Sequence, residues 1–249
     1  MSLFSKSAPF YDLQYAGKDY SGEVAFIRER LRDLMPTARS LLDLGCGTGN
    51  HSAHFLSAGM DVVGVDGSAE MIREARRKFP EKSGSFIQSR IANLRLDKRF
   101  DLITSLFHVL SYQTTDAEVN DFFRTISEHL RPEGVAIVDF WHAPALAAQG
   151  LFETNRVFDH GQSRVLRRAR PLSRSGSVAV VEISYSFEGA ASPEEIVEHH
   201  SMRAFSEEEL AGFARAADLS LLECSAWPRI DVKPGPSDWS AYVVLRKCP

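Results

Sequence analysis

Ser40-Leu41-Leu42-Asp43-Leu44-Gly45-Cys46-Gly47-Thr48-Gly49-Asn50 is an apolar run carrying one acid, followed by glycines at alternate positions. It predicts a buried strand that opens into a glycine turn and then a helix. In open α/β folds that junction lies at the carboxyl edge of a parallel sheet, where ligands bind. Gly45, Gly47 and Gly49 have no Cβ, so the main chain can take positive φ and approach a ligand closely. Val62-Val63-Gly64-Val65-Asp66 is a second apolar strand ending in a carboxylate. It follows the turn at the distance where such folds keep a ribose-binding acid. The pair predicts an adenosine-containing cofactor.

The glycine spacing narrows the cofactor. A dinucleotide fingerprint runs Gly-x-Gly-x-x-Gly, so that a helix N-terminus meets a pyrophosphate. Here the spacing is Gly-x-Gly-x-Gly with Asp43 in front, and a carboxylate beside the turn repels a diphosphate but suits an ammonium or a sulfonium. The segment from Asp43 to Gly49 resembles the first motif of class I S-adenosylmethionine-dependent methyltransferases, and Asp66 resembles the acid that holds the ribose hydroxyls in that family. The resemblance implies an α/β, Rossmann-like, doubly wound seven-stranded sheet that binds S-adenosylmethionine and releases S-adenosylhomocysteine. It places Asp43, Gly45 and Gly47 at the methionine end, Asp66 at the ribose, and Met71 and Ile91 against the adenine, with Tyr11, Cys46, Gly67 and Leu106 as further cofactor contacts. One departure is Ser89-Arg90-Ile91, where the family has Gly-Asp-Met or a similar triplet whose acid accepts from the adenine amino group. A guanidinium only donates. Asn93 or a backbone carbonyl substitutes, or Arg90 stacks on the ring, or cofactor affinity is reduced.

The chain has 249 residues, of which 44% are apolar and 25% charged, with a net charge of -4. This length holds one large domain or a smaller one with an elaboration, and the composition is that of an ordered globular protein. The acidic balance offers no broad basic field for nucleic acid or an anionic membrane. A small-molecule acceptor is expected. Cys46, Cys224 and Cys248 have neither metal-ligand nor disulfide-framework spacing, which points to reduced thiols. No apolar run is long enough to span a bilayer, and the N-terminus lacks the apolar core of a secretory signal. The expected location is the cytoplasm.

Val24, Ile27, Leu31 and Leu34 share a helical face that Pro36 ends. Ser68 can cap a helix carrying Met71, Ile72 and Ala75, and Thr115 with Glu118 forms a capping box for another bearing Val119, Phe122, Ile126 and Leu130. Strands at Gly84–Gln88, Phe100–Ser105 and Val135–Phe140 alternate with these helices, the pattern of a doubly wound sheet. From about Gly150 to Phe205 the period drops to two. Stretches at 165–169, 178–187 and 196–204, with turns at Ser173–Gly176 and Gly189–Pro193, predict a small antiparallel insertion of about three strands. Ser206 and Glu209 cap a last helix, and the strands Leu219–Ala226 and Trp239–Arg246 follow. The expected division is an N-terminal cap and helix over 1–36, a cofactor domain over 37–149 and 206–249, and an insertion over 150–205 standing above the carboxyl edge of the sheet. Strand edges on the insertion could pair across a twofold axis, which leaves a homodimer open.

Acceptor residues are sought in three places. The first is Tyr11-Asp12-Leu13-Gln14-Tyr15-Ala16-Gly17-Lys18-Asp19-Tyr20. Tyr-Asp-x-x-Tyr and Gly-Lys-Asp-Tyr before a helix resemble the opening of the sugar N,N-dimethyltransferases of macrolide (tylosin and desosamine) pathways, which act on nucleotide-linked amino sugars. The resemblance implies that this segment folds over the cofactor, with Tyr11, Tyr15 and Tyr20 as contacts. Second is Leu106-Phe107-His108-Val109-Leu110-Ser111-Tyr112, where His108 is a candidate base and Tyr112 a hydrogen-bond partner for the substrate. Third come Asp139-Phe140-Trp141-His142 and Glu198-His199-His200-Ser201-Met202-Arg203, which resemble segments of the same group and offer Trp141, His200 and Arg203. Arg203 and the run Arg164, Arg167, Arg168, Arg170 could meet a diphosphate, although alternating arginines on a strand commonly form a solvated face. His199 and His200 point to opposite faces of a strand, so no metal is expected.

The resemblance implies methyl transfer to a small polar molecule, foremost the amine of a nucleotide-linked amino sugar. Two alternatives stand beside it: an O-methyltransferase acting on a sugar or small acid, which needs a stronger base, and a non-catalytic protein that senses S-adenosylmethionine.

Overall fold

The computed structural model describes residues 4, 6–160, 163–188 and 195–248. The quoted strand, β1 (Ser40–Leu44), is buried along its whole length. It lies parallel between β2 (Asp61–Asp66) and β4 (Phe100–Ser105). Outside these pair β3 (Phe86–Gln88), on β2, and β5 (Leu130–His142), on β4. Past β5 the chain returns antiparallel, as β11 (Ser240–Lys247) pairs with β5 and β10 (Leu219–Ala226) with β11. Strand order therefore runs outward in both directions from the β1/β4 boundary, the switch point at which open α/β sheets bind ligands.

Strand alternation decides which layer each side chain joins. Leu42, Leu44, Ile103 and Val138 pack toward α5 (Asp116–His129) and α7 (Glu207–Ala216). Leu41, Leu102 and Ile137 pack on the other face with α2 (Tyr20–Leu34) and α3 (Asn50–Ser57). Each fully buried side chain of this size contributes about 1.5–3 kcal/mol. The capping boxes expected at Thr115/Glu118 and Ser206/Glu209 both form, and Ser68 Oγ caps α4 (Ala69–Lys78) by accepting from Met71 N.

The insertion has four strands rather than about three. β6 (Thr154–His160), β7 (Ser163–Ser175), β8 (Val178–Glu188) and β9 (Glu195–Phe205) form an antiparallel meander. β6 was missed because Thr154, Asn155 and Arg156 give it no apolar alternation. The turn expected at Gly189–Pro193 lies outside the described residues. The insertion joins the central sheet through two residue pairs, Trp141 with Ala204 and His142 with Phe205. This parallel pairing at the carboxyl tip of β5 hangs the meander over the edge where the glycine turn lies.

The N-terminal helix is fixed by a polar cluster. Glu23 on α2 accepts from His51 Nε2 at 2.6 Å, from Trp227 Nε1 at 3.3 Å, and from Lys18 Nζ. Burial acts to raise the Glu23 pKa, but the hydrogen bonds and charges of His51 and Lys18 outweigh it and bring the carboxyl from 4.5 to about 2. A depressed folded-state pKa gives stability that is present above the unfolded value and is lost as pH falls through the folded one. The melting temperature is thus expected to drop as pH falls from about 4.5 to about 2. Glu23→Gln is expected to melt lower at neutral pH and to decline less over that window. Parallel curves for the two proteins would count against this role.

Candidate active site

The glycine turn, the β4–α5 loop, the N-terminal segment and the insertion enclose a cavity of about 1030 Å³. It opens at the carboxyl ends of the parallel strands. On the floor, Gly45 has φ +77° and Gly47 φ +54°. A Cβ at Gly47 would meet no atom within 4 Å, so its bare face looks into the cavity. Asp66 joins the turn to the next helix, its Oδ2 accepting from Gly47 N at 3.0 Å and its Oδ1 from Ser68 N at 2.8 Å. Each oxygen keeps a second lone pair, and the carboxylate lines the cavity. Gly67, Met71, Ile91 and Leu106 line the same half. A glycine cradle, an acid with spare acceptor sites and apolar side chains beyond it suit the aminoacyl, ribose and adenine parts of S-adenosylmethionine in that order. Arg90 lines the cavity beside Ile91 as an exposed residue.

Two expected cofactor contacts lie elsewhere. Asp43 is 2% exposed and does not line the cavity. Both of its oxygens are taken, by Ser52 Oγ at 2.6 Å and Thr104 Oγ1 at 3.0 Å. Strand alternation puts Asp43 on the α3 face with Leu41, so it braces the turn from beneath instead of reaching the methionine end. The Cys46 side chain packs with Ile72, Ala75 and Phe86 behind the turn, and burial raises its thiol pKa far enough to keep it neutral.

The N-terminal segment closes the roof. Asp12, on the short helix α1 (Tyr11–Gln14), accepts from Thr48 Oγ1 at 2.5 Å and Asn50 Nδ2 at 3.0 Å and pairs with Lys78 Nζ at 2.5 Å. This pins the segment to the glycine turn and sets Tyr11 and Tyr15 into the cavity with rings 4.8 Å apart. Tyr20 is not brought there; its ring packs on His51 at 4.8 Å.

The loop after β4 is held by Asp139, which sequence reading noted only as part of a strand end. Its carboxylate, 2% exposed, accepts from Phe107 N at 2.9 Å and His108 N at 2.7 Å. Phe107 and His108 both have positive φ, 69° and 64°, a conformation that side-chain-bearing residues keep only where their surroundings enforce it. The turn brings Leu106, His108 and Tyr112 to the cavity. His108 Nε2 lies 2.7 Å from Ser240 Oγ, and burial lowers its pKa against the opposing pull of Asp139. The ring is thus a neutral one tied to β11.

The end of β5, the residue before β11 and the meander together supply the far wall. Trp141 and Trp239 meet edge to face with centroids 6.0 Å apart at the cavity. On β7, Arg168 pairs with Glu153 at 2.7 Å and Arg170 with Glu182 at 2.8 Å, both exposed. Arg167 alone of the run points inward, only 9% exposed, and its Nε has no hydrogen-bond partner among the described residues. Arg203, expected at the substrate, is tied to Asp116 at 2.6 Å and Glu209 at 3.2 Å away from the cavity. His200 lines the cavity while His199 faces outward to Glu182 at 3.4 Å. Among the described residues no helix is long and apolar enough to cross a membrane.

The family described as a methyltransferase domain matches residues 41–134. Over 239 residues the chain is 30% identical to dTDP-3-amino-3,4,6-trideoxy-alpha-D-glucopyranose N,N-dimethyltransferase of Streptomyces venezuelae, covering 95% of this chain and 96% of that protein. It is also 30% identical to dTDP-3-amino-3,6-dideoxy-alpha-D-glucopyranose N,N-dimethyltransferase of Streptomyces fradiae, over 86% of this chain and 84% of that one. Among solved structures, the sugar N-methyltransferase KedS8 of a Streptoalloteichus species superposes with a TM-score of 0.80 at 27% identity, over 96% of this chain and 93% of that chain.

Proposed function

The chain belongs to the family of S-adenosylmethionine-dependent methyltransferases, and from that premise we propose that it methylates the amine of a nucleotide-linked amino sugar. When bound, S-adenosylmethionine supplies a methyl carbon on a sulfonium, which an amine lone pair displaces in line. Gly45, Gly47, Asp66, Gly67, Met71 and Ile91 would hold it. In this reading residues 37–149 and 206–249 bind the cofactor, residues 1–36 cap it and residues 150–205 wall the acceptor. What remains for the protein is alignment and exclusion of water, which the pinned roof of Tyr11 and Tyr15 provides.

The observation that carries the acceptor is Arg167. A buried guanidinium without a partner is costly unless an anion arrives. No carboxylate among the described residues stands within 4.0 Å of it, so its partner belongs to the substrate. A diphosphate meets a guanidinium through paired, charge-assisted hydrogen bonds. Trp141 and Trp239 on the far wall offer aromatic faces for a nucleobase, and Tyr112 offers a polar contact for a sugar. The substrates in the names of the two relatives above carry an amine and a dTDP group, which supports the same combination.

Arg167→Gln is the test. KM for a dTDP-linked amino sugar is expected to rise roughly 10- to 100-fold, the scale of losing a charge-assisted pair. KM for S-adenosylmethionine, and for the same sugar without its nucleotide, should stay within about twofold of wild type. An equal rise for linked and unlinked sugars would contradict a diphosphate contact.

A further inference from the structure

Three side chains stand in line behind the acceptor end of the cavity. Tyr112 Oη lies 3.0 Å from His200 Nδ1. His200 Nε2 lies 3.5 Å from Glu198 Oε2, whose carboxylate accepts the Ser7 hydroxyl at 3.0 and 3.2 Å. His200 is 1% exposed, and Phe4 covers the pair with its ring 6.0 Å from Tyr112 and 5.0 Å from His200. Tyr112 and His200 both line the cavity, whereas Glu198 does not.

This order sets the imidazole tautomer. Nε2 makes no hydrogen bond among the described residues, but the carboxylate 3.5 Å away favours a hydrogen there over a lone pair, which leaves Nδ1 as the acceptor of the Tyr112 hydroxyl. A carboxylate placed behind a histidine holds the ring in orientation and stabilises the imidazolium that forms when the front nitrogen takes a proton. The other ionisable groups around the pair are Arg167 from β7, Tyr185 from β8, and Tyr11 and Tyr15 from the N-terminal segment. Burial, the largest cause, raises the Tyr112 pKa well above its ordinary value. Tyr112 is therefore a neutral hydroxyl, able to receive a proton only as it passes its own onward.

We propose that Tyr112, His200 and Glu198 form a proton relay that converts the bound ammonium of the acceptor into the free amine. The proposal rests on the amine reading above and adds what makes the nitrogen nucleophilic. An N–H bond of the ammonium breaks and its proton moves to Tyr112 Oη, while the Tyr112 O–H bond breaks and that proton moves to His200 Nδ1. The nitrogen keeps its electron pair, and the imidazolium is balanced by Glu198. Water takes the proton when the product leaves and the cavity opens. Tyr112 is the catalytic contact here; His200 and Glu198 act through it.

His200→Gln keeps a polar group and cannot carry the proton. With a dTDP-linked amino sugar, its kcat at about pH 7 is expected to fall roughly 10- to 100-fold and to recover toward wild type above about pH 9, where the acceptor loses its proton unaided. Affinity for S-adenosylhomocysteine should be unchanged, and His199→Gln, on the outer face of β9, should follow the wild-type profile. Independently of turnover, nitrogen-15 correlation spectra of the free protein should show His200 with its hydrogen on Nε2. A kcat deficit equal at every pH, with amine methylation by the wild type intact, overturns the relay alone, as does a hydrogen found on Nδ1. A wild-type enzyme that methylates no amine overturns the amine reading and the relay with it.

Discussion

Gly45→Ala is expected to weaken S-adenosylhomocysteine binding at least about 100-fold in a calorimetric titration while far-ultraviolet circular dichroism stays that of a folded α/β protein. Two separate costs converge on this residue. Its φ of +77° is strained for any residue with a side chain, at about 1–2 kcal/mol for the left-handed region. An added Cβ would also stand 2.4 Å from Val109 Cγ2 and 2.6 Å from Val109 Cγ1, and overpacking of this kind costs about 1–3 kcal/mol. The turn cannot flatten freely, because Gly45 N and Cys46 N both donate to Val65 O, at 2.7 and 3.0 Å. Relief must come from the loop holding Val109, which also carries Leu106 and His108 to the cavity. With about 1.4 kcal/mol to each factor of ten, the combined cost corresponds to the stated loss. Val109→Ala added to Gly45→Ala should restore the steric part and leave the conformational part, so the double variant should bind between the single variant and wild type. Binding by Gly45→Ala within about threefold of wild type would show that the turn does not cradle the cofactor.

Asp139→Asn is expected to lower kcat/KM roughly 100-fold and to lower the melting temperature, although Asp139 does not line the cavity. Its two oxygens receive the main-chain N–H groups of Phe107 and His108. An amide keeps one acceptor and turns an NH₂ toward the other donor. An unsatisfied buried donor costs about 1–3 kcal/mol, and the two left-handed residues then have less to enforce them. The loop should relax toward ordinary φ, carrying Tyr112 away from His200 and releasing His108 from Ser240. Burial raises the Asp139 pKa, and the N–H groups of Phe107 and His108 oppose that rise without cancelling it. Wild-type kinetics in Asp139→Asn would show that the loop is fixed by something else.

The sheet, its switch point and the placing of the glycine turn and Asp66 at one cavity were legible because each rests on a local pattern. Gly45 to Gly49 and the ends of β1 and β2 sit within one strand–turn–helix unit, and strand alternation carries their chemistry to the sheet edge. The resemblance puts Asp43 at the methionine end, whereas alternation counted from Leu41 puts it under the turn beside α3, where Ser52 and Thr104 take both of its oxygens. The arginine run also held a usable signal. Arg164, Arg168 and Arg170 share one parity and Arg167 the other, with Val165 and Ala169, so period two alone separates the inward cation from the solvated three. Arg203 is separable in the same way, sharing the parity of the outward His199 and not that of His200 and Met202, which line the cavity; only its partners Asp116 and Glu209, on α5 and α7, are set by packing. The link from Asp139 to Phe107 and His108 spans β5 and the β4 loop, and non-glycine residues give no sequence sign that they will take positive φ. β6 lacked the apolar alternation that marks a strand, so the aromatic and cationic wall was expected without its outer edge.

The most direct test incubates the protein with deuteromethyl S-adenosylmethionine and three acceptors: a dTDP-linked amino sugar, its hydroxyl counterpart, and the amino sugar lacking the nucleotide. Products are read by mass spectrometry, with fragmentation to locate the label. The expected result is deuteromethyl on the amine nitrogen of the nucleotide-linked sugar, with S-adenosylhomocysteine formed in equal amount. Label on a sugar oxygen, or turnover that is as fast without the nucleotide, would contradict it.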